Sequence, residues 1–457
     1  MATFLDLPDE IFEEILLDPS LTAQDISRFS SSFKRGRDIV FNSGQLWKRL
    51  MTAHYPNITC QIKENPNIEP HIFWYQTFTA RYALTSRVRQ LMTDLSNRYF
   101  DKNALSNTHL EHFLQQNQDF EGLLIIDALR ELTCKGDPDT DLTLRYYGEQ
   151  VIQFVCQHFL AEKWNEFKLK EPENQDYYQG LVMISQWFQP LEDVNIFDIR
   201  GKVREIALAV LDKLKETYPN HPIFQLDKTE QILSDTNATL DEDRFGGGQR
   251  SLEILNCLNA VFFEDFRFHG NTDQYYSPVN SYIDKVLENR QGIPITLCIL
   301  YSLIAKLLGV VILPINFPRH FLLRWKDQQT GEEFYIDAFQ KGQRNTSEQI
   351  RVTRNHNPQG CASASPMEVF QRMVRNLMTC AQILEHESMN PQLSPNSLIR
   401  KALELTKLIG GQFEYPGFLL CQIYLQLSIN SREVMQELDN YENWPQMPQM
   451  LAGPPNR

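Results

Sequence analysis

The first fifty residues place apolar side chains at helical spacing. The first predicted helix carries an apolar stripe made of Ile11, Ile15 and Leu16. Pro8 precedes this stripe and suits the first turn of a helix, where its missing N–H is not needed. Thr22 and Asp25 match a capping box that opens a second helix, and Ser43 can cap a third. The pattern predicts a three-helix unit of about 50 residues, a size at the small end of what folds alone.

Helical periodicity continues from about residue 71 to residue 233 without an obvious repeat. After Gly292 the run PITLCILYSLIAKLLG is apolar on nearly every face, which predicts a helix buried inside a domain that ends at Gly309. Strands are predicted over 310–316, 320–325 and 333–336, and further helices over 367–384, 397–408, 416–427 and 432–441. The predicted fold class is mainly α with one α+β domain.

The same pattern predicts five regions. They are a three-helix unit at 1–55, a helical domain at 56–240, an α+β domain at 241–345, C-terminal helices at 346–443 and a disordered Pro-rich tail at 444–457. The C-terminal helices could stack as helix pairs, although no clean repeat is visible. Three consecutive glycines, Gly246 to Gly248, predict a hinge over 241–249. They lack the Lys-Ser/Thr of a phosphate-binding loop, so nucleotide binding is not expected.

Composition and charge exclude several classes of protein. The 457 residues include 44 Lys and Arg against 58 Asp and Glu, a net charge of −14 that argues against binding to nucleic acid or a membrane through the global field. The basic residues near the N-terminus predict a solvated helix face. The acidic N-terminal segment and the scattered cysteines predict a cytoplasmic or nuclear protein with reduced thiols and no metal or cofactor.

The N-terminal pattern resembles an F-box. The residues that carry the resemblance are Leu7-Pro8-Asp9-Glu10-Ile11, Ile15-Leu16, Leu21, Asp25, Ile26 and Trp47. The resemblance implies that this unit packs on the Skp adaptor of a cullin–RING ubiquitin ligase, with Leu7, Pro8, Ile11, Ile15 and Leu16 facing the adaptor. The alternative is a helical cap that keeps these residues in its own core.

A second resemblance covers the predicted α+β domain. The segments that carry it are Phe266-x-Phe268-x-Gly270-Asn271, Tyr275-Tyr276, Asn280-Ser281-Tyr282, Arg290-x-Gly292-Ile293-Pro294-Ile295, Asn316-Phe317-Pro318-x-His320-Phe321-Leu322-Leu323-Arg324 and Ile336-Asp337-Ala338-Phe339. They resemble the transglutaminase-like domain of the bacterial SirB family. Few other families join an F-box to this domain.

Enzymes with the transglutaminase-like fold use a Cys-His-Asp triad, in which the thiolate attacks a carbonyl, His transfers the proton and Asp orients the imidazole. The resemblance matches His320 to the His and Asp337 to the Asp. The Gly-x-Cys pattern of the family places the nucleophile at Pro294. Cys298 lies one turn further along the helix, about 6 Å away, which is large against the hydrogen-bond reach that a nucleophile and its base require.

Three interpretations of Cys298, His320 and Asp337 follow. His320 and Asp337 are a structural pair and Cys298 a buried core thiol; or the site binds a peptide or small ligand without chemistry; or it is a working thiol enzyme. Together with the first interpretation, the F-box resemblance implies a non-catalytic substrate receptor of an SCF-type ubiquitin ligase that recruits an unknown client. The alternatives are amide or isopeptide chemistry at Cys298, or a scaffold that binds the adaptor without recruiting a ligase.

Overall fold

The computed structural model describes residues 7–99, 107–117, 122–134, 142–227, 243–318, 320–354, 358, 361–387, 398–410 and 420. The chain divides into two compact units, residues 1–156 and 157–457. The described part is mainly helical with one small sheet, which confirms the predicted fold class. The boundaries of the five predicted regions stay predictions.

The first unit is entirely helical in its described residues. Its helices are α1 (Asp9–Leu16), α2 (Ala23–Ser32), α3 (Lys34–Asn42), α4 (Gly44–His54), α5 (Pro56–Thr59), α6 (Pro70–Tyr99), α7 (Asn107–Gln116), α8 (Gly122–Cys134) and the first part of α9 (Leu142–Lys168). The capping box is confirmed, since Thr22 and Asp25 exchange side chain to backbone hydrogen bonds at the start of α2. Helices α6 to α9 lie in the stretch for which helical periodicity is predicted, whereas α5 precedes that stretch.

The number of helices in the N-terminal segment differs from the prediction. Four helices cover 9–54 instead of three, because Phe33 is extended (φ −160°, ψ 155°) and separates α2 from α3. The ring of Phe33 packs on Phe12 and Phe29, with centroid separations of 6.2 and 5.2 Å. A Cβ at Gly36 would lie 2.8 Å from the Phe33 ring, so a side chain at position 36 would disturb this break.

A buried charge cluster ties α6 to α8. Arg81 has no exposed surface, yet its guanidinium donates to Asp127 Oδ2 (2.7 Å), Glu131 Oε2 (2.6 Å) and Thr85 Oγ1 (2.8 Å). The guanidinium carbon also lies 4.2 Å from the ring centroid of Tyr55. A buried charge is tolerated when it is paired and hydrogen-bonded in this way. Arg81 on α6 therefore contacts both α8 and Tyr55, the residue between α4 and α5.

The second unit surrounds a small sheet with helices. The helices after α9 are α10 (Tyr177–Phe188), α11 (Ile196–Thr217), α12 (Gly248–Asn259, continued by a π-helical turn, Ala260–Asp265), α13 (Ile283–Asn289), α14 (Pro294–Leu307), α15 (Ser347–Arg354), α16 (Pro366–Glu387) and α17 (Leu398–Ile409). The strands are β1 (His269–Gly270), β2 (Gln291–Gly292), β3 (Leu313–Ile315), β4 (Leu322–Lys326), β5 (Glu333–Asp337) and β6 (Gln343–Thr346). β1 and β2 are parallel, while β3-β4-β5-β6 form an antiparallel sheet in chain order.

The central helix α14 is buried as predicted. Every residue of α14 except Lys306 is buried, and Gly309 with φ +83° follows its end. The three predicted strands are confirmed as β3, β4 and β5. The strand β6 and the helix α15 were not predicted, because both are short and polar.

The predicted hinge over 241–249 is wrong for the residues that the structure describes there. Asp243 is buried, and its carboxylate accepts from the Val311 backbone N–H (2.5 Å) and from Trp325 Nε1 (2.9 Å). The backbone N–H of Arg244 donates to the Gly309 carbonyl at 2.8 Å. The three glycines have positive φ and turn the chain into α12. This segment is therefore anchored on the strands, and one buried carboxylate overrides the flexibility expected from glycine.

Some predictions lie outside the described residues. They include the helices at 416–427 and 432–441 and the tail at 444–457. Among the helices that are described, none is long and apolar enough to cross a bilayer.

Candidate functional site

Helix α1 carries the residues expected to contact an adaptor. It buries Phe12 and Leu16 in its own unit and presents Ile11 and Ile15, which are 40 % and 44 % exposed. Leu7 is half-buried and Pro8 is exposed at the N-cap. Leu16, which is 2 % exposed, belongs to the core of this unit, so its predicted place on the adaptor-facing surface is corrected. The structure brings Leu7, Pro8, Ile11 and Ile15 to the surface.

Arg35 fixes the position of α1. Its Nε donates to Asp9 Oδ1 at 2.7 Å, and one of its terminal nitrogens donates to the Leu7 carbonyl at 2.7 Å. The guanidinium carbon also lies 5.5 Å from the ring centroid of Phe12. The sequence predicted Arg35 only as part of a solvated basic face. Its role depends on the fold, which brings α3 beside the start of α1.

The second candidate site lies at one end of the β4–β5 pair. His320 precedes β4, and Asp337 ends β5, its antiparallel neighbour, in which Ile336 is opposite Leu323. Adjacent strand ends therefore bring together two residues that are 17 positions apart. His320 Nε2 lies 2.7 Å from Asp337 Oδ2, and both side chains are buried. The predicted pair is present in the structure.

Asp337 is saturated with hydrogen bonds. Its Oδ1 accepts from the backbone N–H groups of Phe339 (3.1 Å) and Gln340 (3.2 Å), and its Oδ2 also accepts from Arg354 at 3.0 Å. The backbone donors come from the turn that directly follows β5. A carboxylate with these partners can orient an imidazole through one ring nitrogen.

A second arginine holds the backbone that carries His320. Arg372 on α16 donates to the carbonyl oxygens of His320 (2.7 Å) and Phe317 (2.9 Å). It also contacts the Asn316 side chain and lies 5.5 Å from the ring centroid of Phe321. Burial lowers the pKa of Arg372 from its usual value. Sequence reasoning missed both Arg354 and Arg372, because each lies on a separate helix and only the fold brings it to the pair.

Cys298 is not part of the same hydrogen-bonded chain. The residue has no exposed surface, and its thiol donates to the Phe321 carbonyl oxygen with an Sγ···O distance of 3.5 Å. Burial raises the pKa of the thiol well above its ordinary value, which disfavours the thiolate. Pro294, where the resemblance predicts the nucleophile, stands in the first turn of α14. The arrangement offers an oriented imidazole without an activated thiol from Cys298.

The described residues contain no group of three or more His, Cys, Asp or Glu side chains that could hold a metal ion.

The family profile described as transglutaminase-like superfamily matches residues 224–375 of the chain. This match includes α14, β3 to β6, His320 and Asp337, and it extends beyond the predicted range 241–345 at both ends. The part of the match beyond residue 345 contains Arg354, which donates to the Asp337 carboxylate, and Arg372, which donates to the carbonyl oxygen of His320.

Known proteins similar to the chain fall into two groups. A mouse protein named F-box only protein 21 is 28 % identical over 83 % of this chain and 58 % of its own length, and a Pongo abelii protein of the same name is 26 % identical over 97 % and 68 %. A UPF0162 protein of Xylella fastidiosa is 39 % identical over 70 residues, which is 15 % of this chain and 25 % of that protein. No solved structure matches the chain significantly.

The chain spans about three fifths of the length of the mouse relative. The similarity to F-box only protein 21 and the profile match are consistent, because the first covers most of the chain and the second covers residues 224–375, which include the sheet and His320. The chain is therefore similar to F-box only protein 21 over most of its length and contains a transglutaminase-like domain at residues 224–375.

Proposed function

We propose that this protein is the substrate receptor of an SCF-type ubiquitin ligase. The similarity to F-box only protein 21 supports a receptor role. The observation that carries the proposal is the exposed pair Ile11 and Ile15 on a helix whose other apolar residues are buried. Exposed aliphatic side chains one turn apart on a fixed helix are suited to the centre of a protein interface.

In this proposal the Skp adaptor covers Leu7, Pro8, Ile11 and Ile15, and through the adaptor the chain joins a cullin–RING ligase. Ubiquitin transfer is carried out by the other subunits. The remainder of the chain recruits the client. The Arg35 contacts to Asp9 and Leu7 hold α1 in place before binding, which reduces the entropy that association costs.

We also propose that the transglutaminase-like domain is non-catalytic. The supporting observations are Pro294 at the position of the family nucleophile and the burial of Cys298 with its thiol on a backbone carbonyl. On this view His320 and Asp337 stabilise the end of the sheet by satisfying buried polar groups. The alternative, a thiol enzyme, requires the Cys298 thiolate to reach the His320 imidazole.

The receptor proposal is tested by co-precipitation of the adaptor and the cullin with the tagged full chain. Ile11→Glu and Ile15→Glu each place a charge in the interface and should weaken adaptor binding by about 2 kcal/mol or more, roughly 30-fold. Val352→Glu is the matched control, since Val352 is also an exposed aliphatic residue on a helix, at 72 % exposure. Undiminished recovery of the adaptor with the Ile11→Glu/Ile15→Glu variant would show that this surface is not the interface.

A further inference from the structure

A groove with a volume of about 990 Å³ lies between α6 and α7 in the first unit. Its α6 wall contains Arg87, Leu91 and Arg98, whose spacing places them on one face of the helix. The α7 wall contains His109 and His112, which share a face for the same reason. None of these residues belongs to the α1 surface or to the His320–Asp337 site.

The groove combines an apolar floor with basic walls. Leu95 and Phe113 are buried at 2 % and 6 % exposure, whereas Arg98 and His112 are exposed above them. Two arginines, Arg87 and Arg98, line the groove together with one acidic side chain, Asp94, and two histidines. With the histidines neutral the groove carries a charge of +1, opposite in sign to a chain whose net charge is −14. Such a local reversal of charge favours an anionic ligand.

Hydrogen bonds hold the walls in place. Arg87 donates to the Asn117 side chain at 2.8 Å, and buried Asn117 donates in turn to the Phe113 carbonyl at 2.7 Å. Tyr99 Oη lies 2.6 Å from His109 Nδ1, and Gln90 donates to Asp94 at 2.9 Å. A wall that is ordered before binding loses less conformational entropy when a ligand arrives.

Arg98 and His109 meet inside the groove. The guanidinium of Arg98 contacts His109 Nε2, so the imidazole must accept a hydrogen bond there in its neutral form. The Asp94 carboxylate, one turn before Arg98, is hydrogen-bonded by Gln90. A carboxylate supplied from outside could therefore accept hydrogen bonds from the Arg98 guanidinium, which prefers planar oxyanions.

We propose that this groove binds an acidic peptide segment of a partner protein. An apolar side chain of the segment lies over Leu95 and Phe113, and its carboxylates lie against Arg98 and His112. Arg87 and Arg98 are eleven residues apart on one helix, about 16 Å, a length that matches three turns of helix or about five extended residues. The volume is at the upper end of small-molecule sites, which suits a peptide segment.

The experiment begins with a display library of random twelve-residue peptides selected on the immobilised full chain. The proposal predicts enrichment of peptides that carry at least two acidic residues beside a large apolar one. Fluorescence anisotropy with an enriched peptide then measures the variants. Arg98→Glu and His112→Glu should each weaken binding at least tenfold. Arg89→Glu is the matched control, since Arg89 is exposed on α6 and does not line the groove, and it should change binding by less than twofold.

If Arg98→Glu or His112→Glu lowers the melting temperature, Arg98→Gln and His112→Gln replace them, because they remove the basic group without introducing a negative charge. Enrichment of basic or neutral peptides, or equal affinity of the Arg98 variants and the Arg89→Glu control, would overturn the proposal. Competition by a twelve-nucleotide single strand at the same site would also overturn it, in favour of a nucleic-acid groove. Ile11→Glu should leave peptide binding unchanged, so failure of this proposal is distinguishable from failure of the receptor proposal.

Discussion

The thiol of Cys298 lies 3.5 Å from the carbonyl oxygen of Phe321, the residue that follows His320 in the chain. The Cys298 side chain therefore packs against the backbone of the segment that carries His320. His320 uses Nε2 for Asp337, and the carboxylate is shared with Arg354. His320 and Asp337 are thus held by each other, by Arg354 and by two backbone N–H groups, and the thiol beside them is buried. This arrangement fits a structural role for His320, Asp337 and Cys298.

Cysteine labelling tests the non-catalytic proposal directly. With iodoacetamide at neutral pH, we expect Cys60 to react rapidly because it is exposed, and Cys298 to react slowest because it is buried and its raised pKa keeps it protonated. Peptide mapping by mass spectrometry measures each rate in the native protein. Rapid modification of Cys298 that disappears in His320→Ala would support the thiol enzyme instead.

Removing Asp337 should destabilise the protein more than removing His320. Asp337→Ala leaves the buried His320 and the Arg354 guanidinium without their shared acceptor, and should lower the free energy of unfolding by about 3 to 5 kcal/mol. His320→Ala removes one hydrogen bond to the Asp337 carboxylate and should lower the free energy of unfolding by about 1 to 3 kcal/mol. Urea denaturation of the full chain measures both. A cost of Asp337→Ala equal to or smaller than that of His320→Ala would contradict the central place of the carboxylate in this cluster.

Arg354→Ala is the matched control for that series. Arg354 is 33 % exposed and contacts the same oxygen of Asp337. Because solvent can replace it, its loss should cost less than the loss of His320.

High pH should weaken the fold through Cys298. In the unfolded chain the thiol ionises near its ordinary pKa of 9.0, whereas in the folded protein the raised pKa keeps the proton bound. Ionisation therefore favours the unfolded state as the pH rises above about 9. Between pH 8 and pH 10, wild type should lose about 1 kcal/mol more of its free energy of unfolding than Cys298→Ala. Equal losses in the two proteins would show that the folded thiol is not protected.

The buried charge of Arg81 should be essential to the first unit. Arg81→Ala leaves Asp127 and Glu131 without their shared cation and should cost about 3 to 5 kcal/mol. Arg145→Ala removes an exposed partner of Glu149 and should change stability little. Chemical denaturation followed by circular dichroism distinguishes the two. A small effect of Arg81→Ala would mean that water takes the place of the guanidinium.

Limited proteolysis tests the anchored segment around Asp243. Trypsin should cleave slowly after Arg244 in wild type, because the backbone there is bonded to Gly309 and Asp243 is bonded to Val311 and Trp325. Asp243→Ala removes both side-chain contacts and should expose this bond, while Asp198→Ala, at an exposed position on α11, should not. Rapid cleavage after Arg244 in wild type would restore the hinge interpretation.

The sequence alone determined the features that depend on neighbours a few residues apart. The capping box at Thr22 and Asp25, the buried helix α14 and the three central strands follow from spacing and periodicity, because those patterns state which face of an element is apolar. Motif resemblance also placed His320 and Asp337 correctly as a pair.

Only the tertiary structure decided which partners those elements meet. The stripe of α1 contains three similar aliphatic residues, and packing alone buries Leu16 while leaving Ile11 and Ile15 exposed. Arg354 and Arg372 reach the His320–Asp337 pair from helices that follow it in the chain, and Asp243 replaces a predicted hinge with two hydrogen bonds. A polar side chain acquires its role from distant residues, and periodicity carries no information about contacts across such separations in sequence.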